Sequence, residues 1–133
     1  MDKLGEINQP TVKIAVLKGS TSQRFVEKNA PNVKLITTPD YETAVKMVID
    51  NRVDMLIADY PTCVINAFRY PDAGLTVAEE PLTIEPIGIA LPPDAFQLHN
   101  PIENYLNALQ ITGTLDALEK KWFNDGSWLV SLP

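Results

Sequence analysis

Apolar and polar positions fall into short alternating blocks along this chain of 133 residues. Val12 to Leu17 is apolar on both sides of the backbone, with only Lys13 interrupting. A strand buried on both faces reads this way, as in a parallel sheet. Gly19 then allows a tight turn into Ser20-Thr21-Ser22. A polar helical segment follows to about Asn29, its inner face carried by Phe25 and Val26. Val33, Leu35 and Ile36 predict a second strand. Asp40 is placed to cap a helix in which Tyr41, Ala44, Val45 and Val48 recur at i, i+3, i+4 and i+7. Val53 to Ala58 predicts a third strand, ending at Asp59. Pro61 fits the first turn of a further helix to about Tyr70, with Val64, Ile65 and Phe68 inward. Leu75 to Val77 predicts a short strand. Strands alternating with helices through short links predict an α/β domain: a small parallel sheet, mixed at its edge, with helices packed on it.

The remainder reads differently. Glu79 to Pro86 is a polar connector punctuated by proline, with Glu79 and Glu80 facing solvent. Ile87 to Leu91 predicts another strand, and Gly88 within it marks a close approach or a bulge. Ile102, Tyr105, Leu106 and Leu109 give an amphipathic helix. Gly113 interrupts, and Thr114 can cap a last helix whose apolar face is Leu115, Leu118, Trp122 and Phe123. That spacing predicts Trp122 in a core.

Composition narrows the classes. A hydrophobic content of 45% with 21% charged residues is that of a globular chain. The net charge of −6 argues against nucleic acid and anionic membrane surfaces as partners. No apolar run approaches the roughly 20 residues that span a bilayer. Met1 to Pro10 is polar and carries no signal-peptide core, which leaves open a leader removed upstream. The single Cys63 excludes an internal disulfide and a multi-cysteine metal site, and reads as a buried, inert thiol. The single His99 falls in an expected turn before Asn100-Pro101 and reads as a surface residue. No metal and no cofactor is expected. Gly19-Ser20-Thr21 lacks the Gly-Lys of a phosphate loop, so nucleotide binding is unsupported.

Two polar stations remain, both where a parallel sheet binds ligands, beyond the carboxyl ends of its strands. The first is Gly19 to Ser22. Unpaired N–H groups, the positive end of a helix dipole and three hydroxyls converge there on a possible anion. The alternative is that Ser20 only caps the helix, since Ser20 and Gln23 have capping-box spacing. The second station is Asp59, which can take an ammonium group or serve as a helix cap.

The series Val12-Lys13-Ile14-Ala15-Val16-Leu17-Lys18-Gly19-Ser20-Thr21, Asn51-Arg52-Val53-Asp54-Met55-Leu56-Ile57-Ala58-Asp59, Glu80-Pro81-Leu82 through Ile87-Gly88-Ile89-Ala90, and Gly113-Thr114-Leu115 with Lys120-Lys121-Trp122-Phe123 resembles, in order and interval, the bacterial extracellular solute-binding proteins of the polar amino acid type. The resemblance covers nearly the whole chain and implies the periplasmic type II binding fold, two α/β lobes clamping a ligand. Residues 1–86 would be the second lobe, and 87–133 the return strand and helices of the first. The chain would begin midway through the family's pattern, without the part that supplies an arginine for the ligand carboxylate and the aromatic residues around its side chain. Ile87 stands where an aromatic often precedes the glycine of the return strand. By the resemblance, Ser20 and Thr21, with N–H groups up to Ser22, hold an amino acid's carboxylate, and Asp59 holds its ammonium. The implied function is a substrate-binding domain for a small zwitterion, in an ABC importer with its permease or in a sensor, outside the cytoplasm in the periplasm or extracellular space. Weak affinity is expected of this chain alone. A cyclohexadienyl dehydratase acting on prephenate or arogenate is similar to these proteins and would use Asp59 or Glu85 as general acid. A third possibility is an interaction module with a degenerate cleft. The C-terminal helices, lacking a sheet to cover them, are expected to mediate self-association.

Overall fold

The computed structural model describes residues 3–78, 80–84 and 88–131. The chain divides into two compact units, Met1–Leu82 and Thr83–Pro133.

The first unit is built on three parallel strands, β1 (Lys13–Leu17), β2 (Lys34–Thr38) and β3 (Met55–Leu56), in the order β2-β1-β3. Helices α1 (Lys3–Ile7), α2 (Thr21–Asn29), α3 (Tyr41–Ile49) and α4 (Tyr60–Arg69) complete it. The register runs Ile14↔Leu35 and Ala15↔Ile36 on one side of β1, and Ile14↔Met55 and Ala15↔Leu56 on the other. The run of apolar residues in β1 has the expected cause. Ile14 and Val16 pack with Val26 and Ala30 of the α2 layer, while Ala15 packs with Ala44 and Met47 of α3 and with Val53. Period-two alternation thus sends one strand's side chains into two cores, one under each helix layer.

Several expected elements take other forms. β3 is two residues long, although Val53 stays buried. A side chain substitutes for ladder bonds there: the Lys13 N–H donates to the Asp54 carboxylate (2.7 Å), and the Asp54 N–H donates to the Lys13 carbonyl (2.9 Å). Leu75 to Val77 has no ladder partner and is not a strand. Phe68, expected inward on α4, is exposed, and Cys63 is half-buried. Glu80 is exposed, whereas Glu79 lies outside the described residues.

In the second unit, Gly88 to Leu91 is not a strand, and Ile87 lies outside the described residues. Helix α5 (Phe96–Ile111) begins five residues before Pro101, so His99 is helical rather than in a turn. Its first turn is closed by the Leu98 and His99 N–H groups on the Ala95 carbonyl (3.0 and 3.3 Å). Gly113, at φ +70°, turns the chain into α6 (Thr114–Glu119). Gly113 therefore takes the N-cap position expected of Thr114, because left-handed backbone there favours glycine. α6 continues as a π-helical turn, Lys120–Asn124, and a 3₁₀ segment, Gly126–Ser131, follows. Trp122 is 40% exposed instead of being core. Its ring meets Trp128 edge-on at 5.1 Å, and the Lys121 ammonium lies 4.9 Å over it. No described residue of α5 or α6 is buried, so the expected packing layer has nothing to pack on within its own unit.

Two stability predictions follow from the first unit. Ile14 is completely buried, so Ile14→Ala should cost about 2–5 kcal/mol in urea unfolding. A loss below 1 kcal/mol would show that β1 is not the centre of the core. Asp40 accepts a cap bond from the Thr43 N–H (2.6 Å), which holds its carboxyl below the ordinary 3.8. A depressed carboxyl stabilises the fold above its unfolded pKa and stops doing so as pH falls through its folded pKa. Asp40→Ala should therefore lower the thermal midpoint at neutral pH. The deficit should vanish below the folded carboxyl's pKa, and a deficit constant with pH would refute the charge contribution.

Candidate functional site

The carboxyl edge of the sheet gathers three helix starts. β1 lies between β2 and β3, so the chain leaves β1 for one neighbour and later crosses to the other. The crevice of such a sheet opens outside the carboxyl ends of the two strands where the direction reverses. Here these are β1, which leads into Gly19–Ser22, and β3, which leads into Asp59. The Ile57 N–H still donates to the Ala15 carbonyl (3.1 Å) beyond the end of β3. Asp59 follows two residues later, immediately ahead of α4.

The first station is held by local hydrogen bonds. Gly19 adopts φ +78°, and its N–H donates to the Gln23 side-chain oxygen at 2.7 Å. The Ser20 hydroxyl donates to the Leu17 carbonyl (2.7 Å) and accepts from the Gln23 N–H (3.1 Å). Ser20 is thus an N-cap in fact, and its own N–H also turns back to Leu17 (3.2 Å). The Gln23 side chain returns to Gly19, one residue earlier than in the usual capping box. What remains open lies one step further on. The Thr21 and Ser22 N–H groups have no hydrogen bond among the described residues, and both hydroxyls stand beside them. Thr21 is exposed and Ser22 half-buried.

The second station contrasts with a twin. Asp40 and Asp59 are both helix N-caps, yet only Asp40 spends its carboxylate on the cap. Asp59 makes no side-chain cap bond and is exposed. Pro61 occupies the second helical position, where it offers no N–H, so one of the two ordinary cap donors is missing. An uncapped carboxylate therefore stands at the same sheet edge as the open N–H groups of α2. One edge can meet both ends of a small zwitterion.

Sequence reasoning named Ser20, Thr21, Ser22 and Asp59, and the strand order brings them to one edge. It passed over Tyr41, which heads α3. Burial chiefly, then the charges of Asp59 and Cys63, raise the Tyr41 phenol above its ordinary pKa. The Cys63 thiol donates weakly to the Ala58 carbonyl at 3.8 Å, and burial pushes its pKa up. That thiol is correspondingly unreactive. Glu85 lies outside the described residues. No group of three metal-ligating side chains occurs among the described residues, and no helix among them is long and apolar enough to cross a membrane. Within the second unit, Leu91, Pro93, Phe96 and His99 line part of an open apolar cleft of about 260 Å³.

No protein-family model matches the chain. In sequence it is 29% identical over 117 residues to the ABC transporter arginine-binding protein 1 of Escherichia coli (strain K12), a match covering 84% of this chain and 47% of that protein. It is 22% identical over 120 residues to the cyclohexadienyl dehydratase of Pseudomonas aeruginosa, covering 90% of this chain and 44% of the enzyme. In structure it matches a candidate binding component of an ABC transporter from Wolinella succinogenes DSM 1740, solved with lysine, at a TM-score of 0.86 and 25% identity. That match covers 97% of this chain and 55% of the other. The chain spans about half the length of the relatives it matches. Its relatives thus include both binding proteins and an enzyme. In sequence and fold, over that half, the chain is similar to the amino-acid-binding proteins of ABC transporters, whose type II periplasmic-binding fold it matches.

Proposed function

We propose that this chain supplies one wall of a substrate-binding site for a small zwitterion, an amino acid, in an ABC importer or a sensor. The observation that carries the reading is the pairing at one sheet edge of open N–H groups on α2 with the uncapped carboxylate of Asp59. The Thr21 and Ser22 N–H groups and the Thr21 hydroxyl receive the ligand carboxylate. Ser20 holds that turn in shape and adds a lone pair's worth of polarity rather than a free donor. Asp59 receives the ammonium group. The names of the relatives make L-arginine and L-lysine the first ligands to try. On this reading residues 1–86 act as a second lobe and 87–133 return to a first. The protein works in the periplasm or outside the cell, beside a permease where it serves transport.

The dehydratase relative keeps a second reading alive. An enzyme of that kind needs a general acid for the leaving hydroxyl. Asp59, exposed at the sheet edge, is the described residue placed for it.

The α5–α6 surface adds a proposal about assembly. Tyr105, Leu106, Ile111, Leu118 and Trp122 all stand exposed, Ile111 by 86%. Such a surface is a self-association face.

Calorimetry of the chain with L-arginine and L-lysine should give heat. Asp59→Ala should weaken it about 10–100-fold, the loss of a charged hydrogen bond, and Thr21→Ala about 10-fold. Binding untouched by Asp59→Ala would sink the assignment. No heat at millimolar ligand would leave an interaction module, and prephenate turnover lost in Asp59→Asn would make the chain an enzyme. Sedimentation velocity should show a mass rising with concentration, diminished by Leu106→Glu. A concentration-independent monomer would remove the self-association proposal.

A further inference from the structure

Asp59 shares its sheet edge with a residue that no motif pointed to. α3 packs across β1 and β3, and in a parallel sheet each helix that follows a strand starts at the carboxyl edge. Tyr41, the first residue of α3, therefore lies at the same edge as Asp59, the residue before α4. Its side chain is half-buried, and its hydroxyl has no hydrogen-bond partner among the described residues. The charge of Asp59 is felt at the phenol, after burial the largest influence on it. Cys63, the third group of the cluster, has its thiol directed to the Ala58 carbonyl.

An ammonium group brings three N–H donors. A single carboxylate accepts one or two of them, and an unpaired donor in a closed site is costly. The same edge offers a second acceptor, the phenol oxygen of Tyr41, which is uncommitted among the described residues. We propose that Tyr41 completes the ammonium site, its phenol oxygen accepting a second N–H beside the Asp59 carboxylate. The proposal rests on the amino acid reading above and deepens it: Tyr41 selects ligands that carry a primary ammonium.

The test is calorimetry of the full chain with L-arginine and with desamino-arginine, the same skeleton lacking the α-ammonium. The parent chain, Tyr41→Phe, Asp59→Asn and the double variant are compared. Tyr41→Phe should weaken arginine about 5-fold, one hydrogen bond's worth, and leave desamino-arginine unchanged. Its effect should shrink when Asp59 is already Asn, because contacts on one group are not additive. Tyr41→His, which restores an acceptor on an aromatic ring, should recover part of the loss. Arginine affinity lost in Asp59→Asn but unchanged in Tyr41→Phe overturns this proposal and leaves the amino acid reading standing. Equal weakening of arginine and desamino-arginine overturns it too, since that is the mark of a structural role. No binding of arginine by the parent chain overturns both.

Discussion

The first unit depends on β1 being buried on both faces. Its two side-chain rows feed separate cores, Ile14 and Val16 under α2 and Ala15 under α3. The strands on either side are held by parallel pairing to it. Because β1 is central, the two crossovers that leave the sheet run in opposite directions, and their divergence opens a crevice at the carboxyl edge. The site's position is thus a consequence of which strand is most apolar. Lys13 begins that strand at its exposed end, and Asp54 pins it there with a pair of hydrogen bonds. The register of β3 on β1 is thus pinned at the opposite end of the sheet from the candidate site.

The second unit shows what happens where no such strand occurs among the described residues. Its helices are amphipathic, but an amphipathic face gives little stability until another apolar surface removes it from water, at about 25 cal/mol per Å². With no residue of α5 or α6 buried, most of that gain is unclaimed within the unit. Local devices carry it instead: the Thr112 hydroxyl on the Ala108 carbonyl at 2.8 Å, the left-handed Gly113, and the Trp122–Trp128 edge contact supported by the Trp128 indole N–H on the Trp122 carbonyl at 3.1 Å.

What could be read in the sequence was what local chemistry decides. Periodicity located α2, α3 and α4, and the N-cap at Asp40 was legible because Asp followed by an i, i+3, i+4 pattern has one common use. β1 and β2 were legible because apolar runs bounded by turns have few alternatives. Leu75 to Val77 and Gly88 to Leu91 failed for the opposite reason. A strand needs a partner, and propensity alone does not supply a ladder. Trp122 failed in the same way, since its helical spacing describes a face and says nothing of what covers it. At the site, Ser20 and Asp59 were each left between capping and binding. The structure assigns the hydroxyl of Ser20 to capping, while the Asp59 carboxylate is uncapped. Tyr41 was hidden because its place in the apolar repeat of α3 accounted for it fully.

The two cap aspartates show how a carboxylate can be left uncommitted at an ordinary structural position. Asp40 is followed by Tyr41, Glu42 and Thr43, all with N–H groups, and its carboxylate closes on Thr43. Asp59 is followed by Tyr60, Pro61 and Thr62. Proline at the second helical position costs the helix nothing, because that N–H would have no intrahelical partner. It does remove a donor that would compete for the Asp59 carboxylate. The helix is then initiated by proline geometry rather than by a side-chain cap, and the carboxylate is left uncapped at the carboxyl edge of the sheet. On α2 the division of labour is reversed. The side chains of Ser20 and Gln23 do the capping, and the released groups are the backbone N–H donors of Thr21 and Ser22. One helix start thus offers donors and its neighbour an acceptor. That difference in sign across adjacent strands is what a zwitterion requires and a simple anion does not.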